Sequence, residues 1–126
     1  MFWNRSANKK IKEYQARLAQ NAGDAEAHFL LGVEYERRGD RLKALSAFEE
    51  VLRLNPRSAE AHFNLALLCE SLNQGRRAIQ HIVQAGNLFS AQNKTEQKNR
   101  ARQLLREFHA RFPQNPDAPP GHEPDR

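Results

Sequence analysis

Ala25-Glu26-Ala27-His28-Phe29 recurs as Ala59-Glu60-Ala61-His62-Phe63, 34 residues further along the chain. The echo continues beyond the pentapeptide. Leu31 returns as Leu65, Glu36 as Glu70 and Ala44 as Ala78, while Ala47 is replaced by His81. A fixed period of about 34 residues in a helical sequence marks stacked helix-turn-helix units, each burying its apolar face against the next. Such arrays present surfaces, which turns the functional question toward partners and away from catalysis.

Working outward from the pentapeptide, Asp24 is an N-cap type of residue, and Ala27, Phe29, Leu30, Leu31, Val33 and Tyr35 give a helical apolar pattern behind it. Gly39-Asp40 ends this helix, because Gly accepts the left-handed backbone that closes one. Leu42, Ala44, Leu45, Ala47, Phe48, Val51 and Leu52 carry a second helix, stopped at Asn55-Pro56 because Pro lacks the amide hydrogen needed to continue. Ser58 caps a third, and Asn73-Gln74-Gly75 turns the chain into a fourth through Ala78, Ile82, Ala85 and Leu88. Gly86 costs this fourth helix roughly 1 kcal/mol against Ala and marks its weak point.

The period also extends backward. Ile11, Tyr14, Leu18 and Asn21 precede Leu45, Phe48, Leu52 and Asn55 by one repeat, so residues 8–21 read as the second helix of a half-repeat. Forward, the register is lost, with Asn99 and Arg100 where Leu65 and Ala66 should recur. Ala101, Leu104, Leu105, Phe108 and Phe112 form their own stripe at i, i+3, i+4 spacing, with Lys98, Arg102, Arg106 and Arg111 on the other side. This is the pattern of a terminal helix that covers an otherwise exposed end. The expected divisions are 1–23 for the half-repeat, 24–58 and 59–92 for two full repeats, 93–112 for the capping helix and 113–126 for a disordered Pro-rich tail.

Composition bounds the class. At 126 residues the chain fits one small array with tails, and its single Cys69 forms no disulfide within the chain. No apolar run approaches the roughly 18 residues of a membrane span, and the first residues lack the apolar stretch of a secretory signal. The sequons at Asn4 and Asn93 therefore carry little weight, and a cytoplasmic location is expected. The net charge of +5 sits at the ends: five basic and one acidic residue in 1–23, six basic and two acidic in 93–113. Lys and Arg on helices ordinarily form a solvated face.

These residues resemble the tetratricopeptide repeat. Its bulky, Leu, small, Tyr, Ala, aromatic, apolar and Pro packing positions are filled in the first copy by His28, Leu31, Gly32, Tyr35, Ala44, Phe48, Val51 and Pro56. The second copy supplies His62, Leu65, Ala66, Cys69, Ala78, Ile82 and Ala85, with Ser90 where Pro is expected, so that its last helix is free to run on. The resemblance covers a little over half of the chain. It implies an all-α, right-handed helix-turn-helix array with an N-terminal half-repeat and a C-terminal capping helix. Gly32 and Ala66 are expected opposite Ala44 and Ala78, where small residues let paired helices approach.

In this family the first helix of each repeat lines a concave groove. Carried over, the partner-facing residues are Glu26, Phe29, Val33, Glu36 and Arg37, then Glu60, Phe63, Leu67, Glu70 and Ser71. They make an apolar strip flanked by four glutamates, suited to a peptide or helix with Lys or Arg beside apolar anchors. The implied function is protein–protein interaction, as an adaptor or assembly scaffold. One family subgroup grips a chaperone's C-terminal carboxylate with a Lys/Asn/Arg clamp; Phe29, Val33 and Leu67 stand where clamp residues would be, which argues against that ligand.

Two other classes stay open. A second copy of the chain covering the strip would make a self-associating homodimeric module, since arrays of this kind usually want three repeats. Alternatively the basic ends, with Phe2 and Trp3 as anchors, would engage nucleic acid or a membrane surface, a weak signal with only two aromatics beside a short basic run. Catalytic motifs are missing: there is no Gly-rich phosphate loop, Ser/His/Asp constellation or CxxC, so neither enzyme activity, a small-molecule substrate nor a cofactor is expected. His28 and His62 fall at packing positions where two rings could meet, but nothing at ligand spacing completes a metal site. Cys69 reads as a buried apolar group.

Overall fold

The structure, a computed structural model, describes residues 2–113, with side chains from Arg5 onward. The Pro-rich tail past Pro113 and the side chains of Phe2 and Trp3 lie outside the described residues. Among the described residues six helices follow in order: α1 Phe2–Gln20, α2 Ala25–Arg38, α3 Arg41–Leu54, α4 Ala59–Ser71, α5 Gly75–Ala91 and α6 Thr95–Arg111. Each packs mainly on its chain neighbours, as in a quasi-one-dimensional stack.

The helix ends follow from local chemistry. Asp24 accepts a hydrogen bond from the Ala27 amide (3.0 Å), and Ser58 accepts one from Ala61 (3.2 Å), each satisfying an orphan donor of the first turn. Gly39 closes α2 in the left-handed region at φ 88°. The α4–α5 turn falls at Asn73-Gln74-Gly75. Asn73, not Gly75, takes the left-handed conformation (φ 59°). Gly75 instead lacks a side chain because Phe112 occupies that space; a Cβ there would lie 2.5 Å from the Phe112 ring.

The lost register after α5 has a simple cause. Without a proline, α5 runs through Ser90 to Ala91. Asn93, where the period would begin the next helix, becomes a left-handed turn residue (φ 58°). The bonds of this turn copy those of the α4–α5 turn: Lys94 N–H donates to Phe89 O as Gln74 N–H donates to Cys69 O. α6 therefore starts two residues late and returns along α5, burying Ala101 and Phe108 against Ile82, Ala85, Leu88 and Phe89.

Three clusters make the core. Ile11, Leu31 and Ala47 join α1 to the first repeat, with Tyr14, Leu18 and Tyr35 around them. Ala44, Phe48, Leu65 and Leu68 join the two repeats. The third lies between α4, α5 and α6. A Cβ on Gly32 would meet the end of the Phe48 ring at 2.6–2.8 Å, so the glycine is the floor on which that ring lies.

Gly86 leaves α5 unbroken, since packing against α6 outweighs its poor propensity. A Cβ added there would lie 3.6 Å from Ala101 Cβ, an ordinary contact. Gly86→Ala is therefore expected to stabilise the fold by about 0.5–1 kcal/mol, raising the thermal midpoint by several degrees in a circular dichroism melt. A lowered midpoint would contradict this packing.

Candidate functional site: the α2–α4 groove

α2 and α4 line a common groove, and the faces they turn to it carry the apolar strip. Phe29 packs edge-on against Phe48 (ring centroids 5.3 Å apart) and remains half-buried. Val33 is half-buried against the same cluster, while Phe63 and Leu67 pack on the α4–α5–α6 cluster. Between Phe29 and Phe63 lies a socket of about 230 Å³ lined also by Glu60, Asn64, Phe89, Gln97 and Arg100. Phe89 is the third ring, edge-on to Phe63 at 6.2 Å, and the Arg100 guanidinium lies 5.8 Å from the Phe63 centroid. A second hollow of about 280 Å³ adjoins it on the other side of Phe29, bounded by Ala25, Glu26, Val51, Asn55, Ser58 and Glu60. α6 thus forms one wall of the groove without closing it.

The glutamate rim is less free than its sequence suggests. Glu26 faces Arg17 of α1 (3.3 Å), Glu60 faces Lys94 (3.1 Å) and Glu70 faces Arg111 (2.8 Å). Glu36 has no charged partner among the described residues, and desolvation raises its pKa although the residue as a whole is exposed. Arg37 is exposed and lies 3.9 Å from the buried Glu34. Ser71 donates its hydroxyl to Leu68 O (2.7 Å). Exposed pairs of this kind contribute about 0–1 kcal/mol each and can exchange partners with an incoming ligand.

Three features escape the repeat pattern. Phe89 follows the α5 stripe of Ala78, Ile82 and Ala85 by i+4 and could have been found there. Lys94 is the N-cap residue of α6, and the turn after α5 brings it onto Glu60. Glu34 is 4% exposed, its Oε2 without a hydrogen-bond partner and its Oε1 3.8 Å from Lys10 of α1, which no local pattern signals.

The histidines do not meet as anticipated. His62 pairs with His81 across α4 and α5, their Nδ1 atoms 3.0 Å apart, and not with His28. His62 Nε2–H donates to the Pro56 carbonyl (3.2 Å), which can only accept. Its Nδ1 is therefore the acceptor, and His81 Nδ1–H the donor. Burial lowers both pKa values. For His81, with His62 and Arg77 adding repulsion, the value falls to about 4. Unfolded, these rings protonate near 6.5, whereas folded they resist, so stability is present above about pH 6.5 and is lost as pH falls toward 4. With allowance for partial solvent screening the loss is on the order of 1–2 kcal/mol. Urea unfolding at pH 7.5 and pH 5 should register it. His81→Ala, which copies Ala47 of the first repeat, should shrink the difference by about half or more. An undiminished difference would contradict the pair's role.

Among the described residues no group of three or more His, Cys, Asp or Glu is placed to hold a metal, and no helix is long and apolar enough to cross a membrane. Cys69 is fully buried, and desolvation raises its pKa, so it is not a poised thiolate.

Residues 25–58 match the family model of the tetratricopeptide repeat. No curated protein matches the chain. Among solved structures, the type III secretion translocator chaperone SycD of Yersinia enterocolitica superposes with a TM-score of 0.80 at 14% identity, covering 87% of this chain and 77% of that one. PcrH, solved in complex with the chaperone binding region of PopD, gives 0.77 at 23% identity, covering 87% and 86%. SycD in complex with a peptide of the translocator YopD gives 0.79 at 14%, covering 87% and 85%. Residues 25–58 thus resemble a tetratricopeptide repeat, and the fold of the chain is the helical repeat array seen in these structures.

Proposed function

We propose that this chain is a protein-interaction module that holds a peptide or helix of a partner in the α2–α4 groove, with a large apolar side chain in the Phe29–Phe63–Phe89 socket. The observation that carries the reading is the socket itself. Three rings converge on a hollow of about 230 Å³, the scale of one bulky side chain, on a face left partly open. Apolar pockets with a few polar groups at the edge are the common form of a peptide anchor site. The neighbours support it, since PcrH and SycD are solved with segments of PopD and YopD.

The partner-facing set is Glu26, Phe29, Val33, Glu36, Arg37, Glu60, Phe63, Leu67 and Glu70. Within it the apolar members supply affinity and the glutamates supply preference. A client Lys or Arg opposite Glu36 gains a partner at no loss, whereas one opposite Glu26, Glu60 or Glu70 first displaces an internal cation. Basic residues beside the anchor are therefore favoured at one end of the groove more than along its length.

A random peptide display library selected against the chain tests this reading. Retained peptides should carry a bulky apolar residue, with Lys or Arg enriched three or four positions away. Enrichment of peptides without an apolar anchor would overturn it.

A further inference from the structure

A second cleft, of about 680 Å³, opens among α1, α2 and α3. It shares no residue with the groove: His28, Leu31 and Tyr35 line it from one face of α2, whereas Phe29 and Val33 lie on nearly the opposite one. The repeat period supplies its internal reference. One period later the same position is filled. His81 reaches from α5 to donate into His62 Nδ1, and Arg77 bonds Glu49 of α3 at 2.7 Å. In the first repeat Ala47 stands in place of His81, and Gln15 and Lys43 stand in place of Glu49 and Arg77. Gln15 offers Lys43 no charge to bridge the cleft, and it turns to the Tyr35 hydroxyl instead.

The acceptor that His81 satisfies is left over. His28 Nε2–H donates to the Ala22 carbonyl (3.2 Å), just as His62 does to Pro56, so His28 Nδ1 carries a lone pair with no partner among the described residues. The cleft it lines also holds Leu31, Ala47 and Leu42, the last 68% exposed, with Ser46 and Glu50 as polar neighbours on α3. Lys43 lies 5.8 Å from the Tyr35 ring, a cation ready for an aromatic face.

The geometry points to this cleft as a second binding site, one that takes a tryptophan side chain of a partner protein, its indole N–H donating to His28 Nδ1 and its face toward Lys43. An indole donates and does not accept, which suits a lone-pair acceptor. Its π face suits the cation, which would repel an imidazolium. The cleft is also far larger than the imidazole that fills its counterpart.

The test uses N-acetyl-tryptophanamide as probe and N-acetyl-phenylalaninamide, which has the same backbone amides but no donor on its ring, as the control, followed by methyl NMR of Leu31, Leu42 and Ala47. The expected result is saturable shifts, with the tryptophan amide binding about fivefold or more tightly than the control, the increment of one hydrogen bond. Ala47→His, which copies the second repeat, should abolish binding. His28→Leu should reduce the tryptophan amide to the level of the control, and it decides the matter if Ala47→His fails to fold. Equal affinity for the two amides, or binding that both variants leave intact, would overturn the proposal. So would self-association of the chain that disappears in Trp3→Phe, since the occupant would then be a second copy.

Discussion

Phe48→Ala is expected to lower folding stability by about 3–5 kcal/mol, a large share of the roughly 5–15 kcal/mol that holds a small domain together. Phe48 is 0% exposed, lies on the backbone of α2 at Gly32, and packs edge-on with Phe29. Its removal opens a void at the joint between the two repeats, where Leu65 and Leu68 also converge. Gly32→Ala probes the same joint from the other side. A methyl in a helix ordinarily gains up to about 1 kcal/mol over Gly. Here the methyl meets three ring atoms closer than 3 Å, and a fully buried ring has nowhere to go, so a net loss of about 1–3 kcal/mol is expected. Chemical denaturation measures both. The sharper check is the contrast with Gly86→Ala, the same change in α5 with the opposite expected sign. If Gly32→Ala stabilises, Phe48 does not pack as described.

The second large effect falls on binding. Phe29→Ala with Phe63→Ala removes two walls of the socket and should weaken a selected peptide by about thirty- to hundredfold, or about 2–3 kcal/mol. The estimate is below the 1.5–3 kcal/mol per ring of full burial because both rings are half-buried before any partner arrives. Phe29 also touches Phe48, so the double variant loses some stability, and affinity should be measured where circular dichroism shows full helicity. Leu42→Ala, on the opposite face, is the control and should leave peptide affinity unchanged. Equal loss in both variants would place the peptide elsewhere.

Much of the fold was legible because each repeat writes its own signals. Asp24 and Ser58 announce helix starts, Gly39 announces a stop, and the period sets which faces pair. What was not legible depends on contacts between segments that local pattern does not join. Gly75 looked like a turn glycine, yet its role is to admit Phe112, which comes from the far end of α6. The two-residue slip after α5 hid the relation of α6 to the repeats, because a search at a fixed period lands on Asn93, a turn. In the candidate groove, the strip of Phe29, Val33, Phe63 and Leu67 could be assigned from the resemblance alone. The charges that neutralise its rim come from α1 (Arg17), the N-cap of α6 (Lys94) and the last turn of α6 (Arg111), all outside the two full repeats. His81 stayed unread because its counterpart in the first repeat is Ala47, so the period gave no reason to look for a pair there.

We propose the α2–α4 groove as the surface on which a partner peptide lies. Amide shift mapping of the ¹⁵N-labelled chain with a display-selected peptide tests it most directly. Saturable shifts are expected to centre on Phe29, Phe63, Asn64 and Phe89 and to extend to Arg100 on α6, with little change on α1. Shifts confined to the α1–α2–α3 cleft, or to the outward basic residues Arg102 and Arg106, with the socket silent, would contradict it.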